Sequence, residues 1–138
     1  MKMVVIDAQG MIMRIVIVGM AFEAGQTRVS FDCDCGSGAA RWDGPGLEVG
    51  DERFVELSLD GVRTVGEDML DTAEPIGLTL RDGLTVLVGE VRAIDEEGFA
   101  ELDLGCGGVD VEIAGALPGL HRRYRLVAAE LAVFDCNF

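Results

Sequence analysis

Arg28-Val29-Ser30-Phe31-Asp32-Cys33-Asp34-Cys35-Gly36 alternates polar and apolar side chains and then runs into a glycine. In an extended chain successive side chains point to opposite faces. Val29, Phe31 and Cys33 therefore share one face, and Arg28, Ser30, Asp32 and Asp34 share the other. That is a strand with one dry face and one wet face, as antiparallel sheets have. Three further stretches read the same way. Val55, Leu57 and Leu59 oppose Phe54, Glu56 and Ser58; Ala100, Leu102 and Leu104 alternate with Glu101 and Asp103; Val109, Val111 and Ile113 alternate with Asp110 and Glu112.

The opening stretch also returns. Phe31-Asp32 with Cys35-Gly36 comes back seventy-one residues later as Leu102-Asp103 with Cys106-Gly107. Val16-Ile17-Val18-Gly19 is matched by Val86-Leu87-Val88-Gly89, Pro45-Gly46-Leu47 by Pro118-Gly119-Leu120, and Val55-Glu56-Leu57 by Ala129-Glu130-Leu131. Order is kept and the spacing drifts by a few residues, as loop insertions produce. A repeat of this length predicts one supersecondary unit used twice. The expected division is a first β repeat over 1–65, an acidic, turn-rich linker over 66–75, and a second β repeat over 76–138, with a core the two repeats can share. Each repeat is expected to open with a hairpin. Asp7-Ala8-Gln9-Gly10 separates Val4-Val5-Ile6 from Met11 onward, and Arg81-Asp82-Gly83 separates Leu78-Thr79-Leu80 from Leu84 onward.

Tyr124, Val127, Ala128 and Leu131 are spaced as on a helix face, but the repeat argues for a long, bulged strand over Tyr124 to Phe134. The predicted fold is all-β: one or two small antiparallel barrels, OB-like or a sandwich, built from two halves with pseudo-two-fold symmetry.

The 138 residues suit a single domain or two small units on one core, and 49% hydrophobic content with mean hydropathy +0.31 is ample for folding. Net charge is −14. Residues 1–70 carry 12 acidic and 6 basic side chains and residues 71–138 carry 13 and 5, so neither half is a basic arm. Such a surface repels phosphate backbones and draws cationic partners. The expected function is that of an acidic β-barrel binding protein with a basic protein as partner, of inhibitor, immunity or adaptor type. An OB-like nucleic-acid-binding module and a structural subunit of a larger assembly are the alternatives. Candidate contact residues are Arg41, Trp42 and Asp43, where the sole tryptophan stands between opposite charges, and Arg122, Arg123 and Tyr124 in the only basic cluster. The competing role for Trp42 is to plug a barrel end, and for the arginines to balance nearby carboxylates.

Catalysis finds little support. His121, the only histidine, follows a Pro-Gly turn without triad spacing and reads as an exposed loop residue. Leu102-Asp103-Leu104-Gly105-Cys106-Gly107 resembles the glycine-rich first motif of S-adenosylmethionine-dependent methyltransferases. The resemblance stops at six residues, because a strand follows where that motif needs a helix. No cofactor and no metal site is expected. Cys33-x-Cys35 lacks the usual ligand spacing, although Cys106 and Cys136 would complete four thiols if the fold gathered them. Asp7 and Arg14 interrupt any apolar leader, and no stretch is long enough to span a bilayer. The protein is expected to be cytoplasmic with reduced thiols.

Overall fold

A computed structural model describes residues 11–129 and 131–136. Every element among them is a strand. In chain order these are β1 (Ile12–Glu23), β2 (Gln26–Cys33), β3 (Gly36–Trp42), β4 (Glu52–Leu59), β5 (Val62–Arg63), β6 (Leu70–Asp71), β7 (Gly77–Arg81), β8 (Leu84–Ile94), β9 (Phe99–Asp103), β10 (Gly108–Ile113), β11 (Arg123–Ala128) and β12 (Leu131–Asp135). No helix among the described residues is long and apolar enough to cross a membrane. The first arm of the expected Val4–Ile6 hairpin lies outside the described residues.

Five strands close a barrel. β1, β2 and β3 form an antiparallel meander, β4 pairs antiparallel with β1, and β12 fills the gap between β4 and β3. β12 runs antiparallel to β4, with Val133 opposite Leu57, and parallel to β3, with Ala132 opposite Arg41. Closure removes the exposed edge that β3 and β4 would otherwise present. The alternating side chains do the filling: Met13, Ile15, Ile17, Val29, Phe31, Val55, Leu57, Leu131 and Val133 are all buried.

The remaining strands continue the sheet. β7, β8, β9 and β10 form an antiparallel meander, β11 lies on the other side of β8, and β5 pairs parallel with β10. Leu87, Val91, Ala100, Leu102, Val109, Val111, Leu126 and Ala128 are buried here and are continuous with the barrel core. The β7–β8 hairpin turns at Asp82-Gly83, both with positive φ (52° and 78°), as a two-residue hairpin loop requires.

Two details of the first group of strands recur in the second. β1 is bulged between Ile17 and Gly19 against β2, and β8 between Val91 and Ala93 against β9. At the first bulge Ile17 N–H donates to Asp51 O (2.9 Å) and Gly50 N–H to Ile17 O (2.8 Å). At the second, Val91 N–H donates to Arg122 O (2.9 Å) and His121 N–H to Val91 O (2.8 Å). Gly50 (φ 97°) and His121 (φ 65°) both take the left-handed conformation there. The bulge after Val91 falls four residues beyond the point at which the string match of Ile17 with Leu87 puts it.

Tyr124 to Phe134 is not one long strand. It divides into β11 and β12, which serve different neighbours: Leu126 and Ala128 face the core beneath β8, whereas Leu131 and Val133 face the five-stranded barrel. Residues 66–75 also carry structure. Met69 is fully buried, Leu70–Asp71 pairs with β11, and Asp68 Oδ1 accepts from Thr64 N–H at 2.7 Å.

Candidate functional site

The residues expected to contact a partner stand on strands that are not neighbours in the sheet. Arg41 and Trp42 end β3; Arg123 and Tyr124 open β11. Trp42 is 5% exposed and its Nε1–H donates to Pro45 O at 2.7 Å. Both its ring and its polar tip are thus used within the fold. Arg41 reaches Asp43 (3.0 Å) and Asp60 (3.8 Å). Tyr124 is buried, with its hydroxyl accepting from Gly119 N–H at 2.8 Å. Arg122 pairs with Asp71 (3.1 Å), Arg123 Nη1–H donates to Glu74 O (2.8 Å), and Arg125 sits 3.5 Å from the Glu74 carboxylate. The basic cluster thus answers the carboxylates of 71–74. His121 is exposed and is placed by its backbone N–H.

A different constellation lies between β4, β12, β9 and β10. Met11, Glu56, Leu57, Ser58, Leu59, Phe99, Asp110 and Phe134 line a cleft of about 360 Å³. Its floor follows from strand alternation, since Leu57 points inward while Glu56 and Ser58 point out. Phe134, nearly half exposed, is the outward residue of β12 opposite Glu56. Asp110 stands directly across from Glu101 on the antiparallel β9–β10 pair. Like charges opposed in this way destabilise a sheet. The Asp110 carboxyl is accordingly held above its ordinary range, first by partial burial and then by the charges of Glu101, Asp95 and Glu56. Arg92 answers Glu101 at 2.7 Å and Asp103 at 3.9 Å, but among the described ion pairs neither Asp110 nor Glu56 has a partner. The cleft therefore combines two carboxylates that have no ion-pair partner among the described residues with two phenylalanine rings, a set able to receive a cationic side chain by charge and by cation–π contact. Sequence reasoning missed it because Glu56 and Asp110 are fifty-four positions apart and each looks like an ordinary wet-face acid.

The thiols are not all reduced. Cys35 and Cys106 form a disulfide, correcting that expectation. Each sits in the tight turn after a wet-and-dry strand. The pairing of β3 with β7 seats the first turn, with Leu78 N–H donating to Cys35 O at 2.8 Å and Gly36 opposite Leu78, and Gly105 of the second turn packs against Cys35 and Ile76. A side chain on Gly36, at φ 133°, would collide with the Leu78 carbonyl, so only glycine allows this approach. Cys33 Sγ stays free, 3.6 Å from Cys35 Sγ and 3.4 Å from Gly36 O. Burial pushes its pKa up; backbone hydrogen bonding at Cys35 opposes this, and the charges of Asp34 and Asp32 add to it. The sulfurs of Cys33, Cys35 and Cys106 all lie within 4.8 Å of one another, and among the described residues this is the group with metal-ligand proximity. Cys136 is not part of it; its Sγ lies 3.9 Å from Phe134 O.

Comparison with protein-family models, with curated proteins and with solved structures found no match.

Proposed function

We propose that the protein is an acidic β-barrel binding protein whose partner is a cationic protein, and that the cleft between β4, β12, β9 and β10 receives a lysine or arginine side chain of that partner. The observation that carries this is Asp110, without an ion-pair partner among the described residues, set against Glu101 and near Glu56, beside the rings of Phe99 and Phe134. Opposed carboxylates cost stability in the free protein, and a bound cation relieves that cost. The net charge of −14 supplies long-range steering, so association is expected to slow as salt rises.

The test is a ¹⁵N-correlation titration with an arginine-rich peptide at low and moderate salt, using the wild type and the Glu56→Gln/Asp110→Asn double variant. Shifts concentrated at Glu56, Phe99, Asp110 and Phe134, and lost in the variant, support the reading. Shifts spread evenly over the acidic surface in both proteins refute a specific cleft.

The finer architecture bears on the alternative function. A three-strand meander closed by a last strand parallel to its third is how OB-like barrels are arranged. Supporting an internal duplication, β12 relates to β3 as β5 relates to β10, both parallel. The recurrent bulge hydrogen bonds at Ile17 and Val91 point the same way. We read the chain as two OB-like units, related by a pseudo-two-fold, that exchange their last strands. OB-like modules that bind nucleic acid need a basic groove with stacking aromatics. The carboxylate-lined cleft lacks the basic component, which ranks that function below protein binding.

A further inference from the structure

We propose that the reduced protein binds one zinc ion on the thiolates of Cys33, Cys35 and Cys106, with the fourth coordination position open to water or a small ligand. This inference is independent of the cleft. A disulfide needs two sulfurs, and here a third stands half-buried 3.6 Å from one of them. Tetrahedral zinc with Zn–S bonds of about 2.3 Å places its sulfurs roughly 3.8 Å apart. The three sulfurs already lie within 4.8 Å of one another, so only the bonded pair has to part.

Besides the disulfide the two turns share packing, since a Cβ at Gly105 would lie 3.8 Å from Cys35 Cβ and 3.6 Å from the Ile76 side chain. Leu78 N–H to Cys35 O ties the first turn to β7, and Leu104 N–H to Gly107 O closes the second turn on itself, both at 2.8 Å. The neighbouring acids are not part of the donor set: Asp32 stands on the opposite face of β2 from Cys33 and its Oδ1 accepts from Ser37 Oγ at 2.8 Å, while Asp103 Oδ1 accepts from Gly105 N–H at 2.9 Å. Three thiolates are soft donors, which favours zinc over magnesium or calcium.

The interconversion balances with a dithiol reductant. The dithiol gives two electrons to the Cys35–Cys106 bond and becomes a cyclic disulfide. Its two protons pass to the released sulfurs, leaving three protein thiols. Zinc then displaces three protons as it binds. A small-molecule disulfide reverses the sequence. It takes the two electrons released as Cys35 and Cys106 re-form their bond, and picks up two protons from solvent to become two thiols. The ion leaves, so the site is open to metal only under reducing conditions.

The experiment uses the full chain, either oxidised or reduced with a phosphine and freed of reductant without air. Each form is equilibrated with zinc, gel-filtered, and assayed for bound metal and free thiols. Cobalt(II) replaces zinc in a parallel titration for its thiolate charge-transfer absorption. Reduced wild type should retain one equivalent and the oxidised protein none. Cys33→Ser, which keeps the disulfide for folding, should bind at least tenfold more weakly after reduction, and Cys136→Ser should match wild type. The proposal fails if the reduced wild type retains no zinc, folded or not. It fails equally if Cys33→Ser binds undiminished, or if Cys136→Ser loses the metal.

Discussion

Thr85 is, among the described residues, the buried polar side chain of the core, fully shielded on β8, and its hydroxyl does a strand's work for β3. Oγ1 accepts from Ala39 N–H at 2.9 Å and donates to Ala39 O at 2.8 Å. Along its outer edge β3 meets β7 at Gly36 and β12 at Arg41 and Trp42, and Ala39 falls between them. Replacing Thr85 with valine keeps the shape and removes both bonds. Each buried backbone group left unsatisfied costs about 1–3 kcal/mol. The added methyl returns about 0.8 kcal/mol of apolar burial. With two such groups the net loss should be about 1–5 kcal/mol, and with a urea m-value of about 2 kcal/mol/M the midpoint should fall by about 0.5–2.5 M at unchanged slope. Thr85→Ser keeps the hydroxyl and gives up one methyl, which costs about 1 kcal/mol. Equilibrium urea unfolding of the three proteins decides the matter. A valine variant within about 0.3 M of wild type, or a serine variant as weak as the valine one, would show that the hydroxyl does not bridge the strands as described.

Opening the Cys35–Cys106 disulfide releases a loop of 71 residues, and the Cys35→Ser/Cys106→Ser variant should unfold about 4 kcal/mol more easily by the chain-entropy estimate, read from urea midpoints without reductant. His121 occupies a left-handed conformation that glycine takes at Gly50, so His121→Gly should raise stability by about 0.5–1 kcal/mol, visible as a higher thermal midpoint. Asp110 has a folded-state pKa raised above its ordinary 3.8, so its ionisation weakens the fold. That penalty is absent below pH 3.8 and grows as pH rises through the folded value. Asp110→Asn should therefore match wild type in urea at pH 3 and exceed it at pH 7; equal midpoints at pH 7 would contradict the repulsion.

Much of the fold was written locally. Of the inward residues read from alternation, Val29, Phe31, Val55, Leu57, Ala100, Leu102, Val109 and Val111 are buried, whereas Cys33 and Ile113 at strand ends are only partly so; period two allows only one assignment of faces once one face is apolar. The Asp82-Gly83 turn was legible for the same kind of reason, since few residue pairs accept positive φ twice in succession. What alternation does not carry is the identity of a strand's partner. Leu131-Ala132-Val133 would fill any apolar gap, and its insertion between β3 and β4 is decided by which edges remain open after nearer strands have paired. Helix-like spacing over Tyr124 to Leu131 arose because two short strands with different destinations sit end to end.

The candidate sites were hidden by the same separation of local from distant information. Trp42 drew notice by composition, yet its indole is committed to Pro45, and the basic cluster is committed to Asp71 and Glu74. Glu56 and Asp110 were two acids among twenty-five, and became distinctive only when β4 and β10 faced one cleft and Glu101 took the place opposite Asp110. The cysteines show what the recurring Asp-x-x-Cys-Gly string carries besides alternation. Cys35 and Cys106 lie seventy-one residues apart at matching turns, so a fold that brings those turns together needs only one like residue on each to join them. Cys33 has no such match, because Leu104 holds the corresponding place before the second turn. A third sulfur on one side alone adds nothing to a cross-link, and that asymmetry is the reason to assign it chemistry of its own.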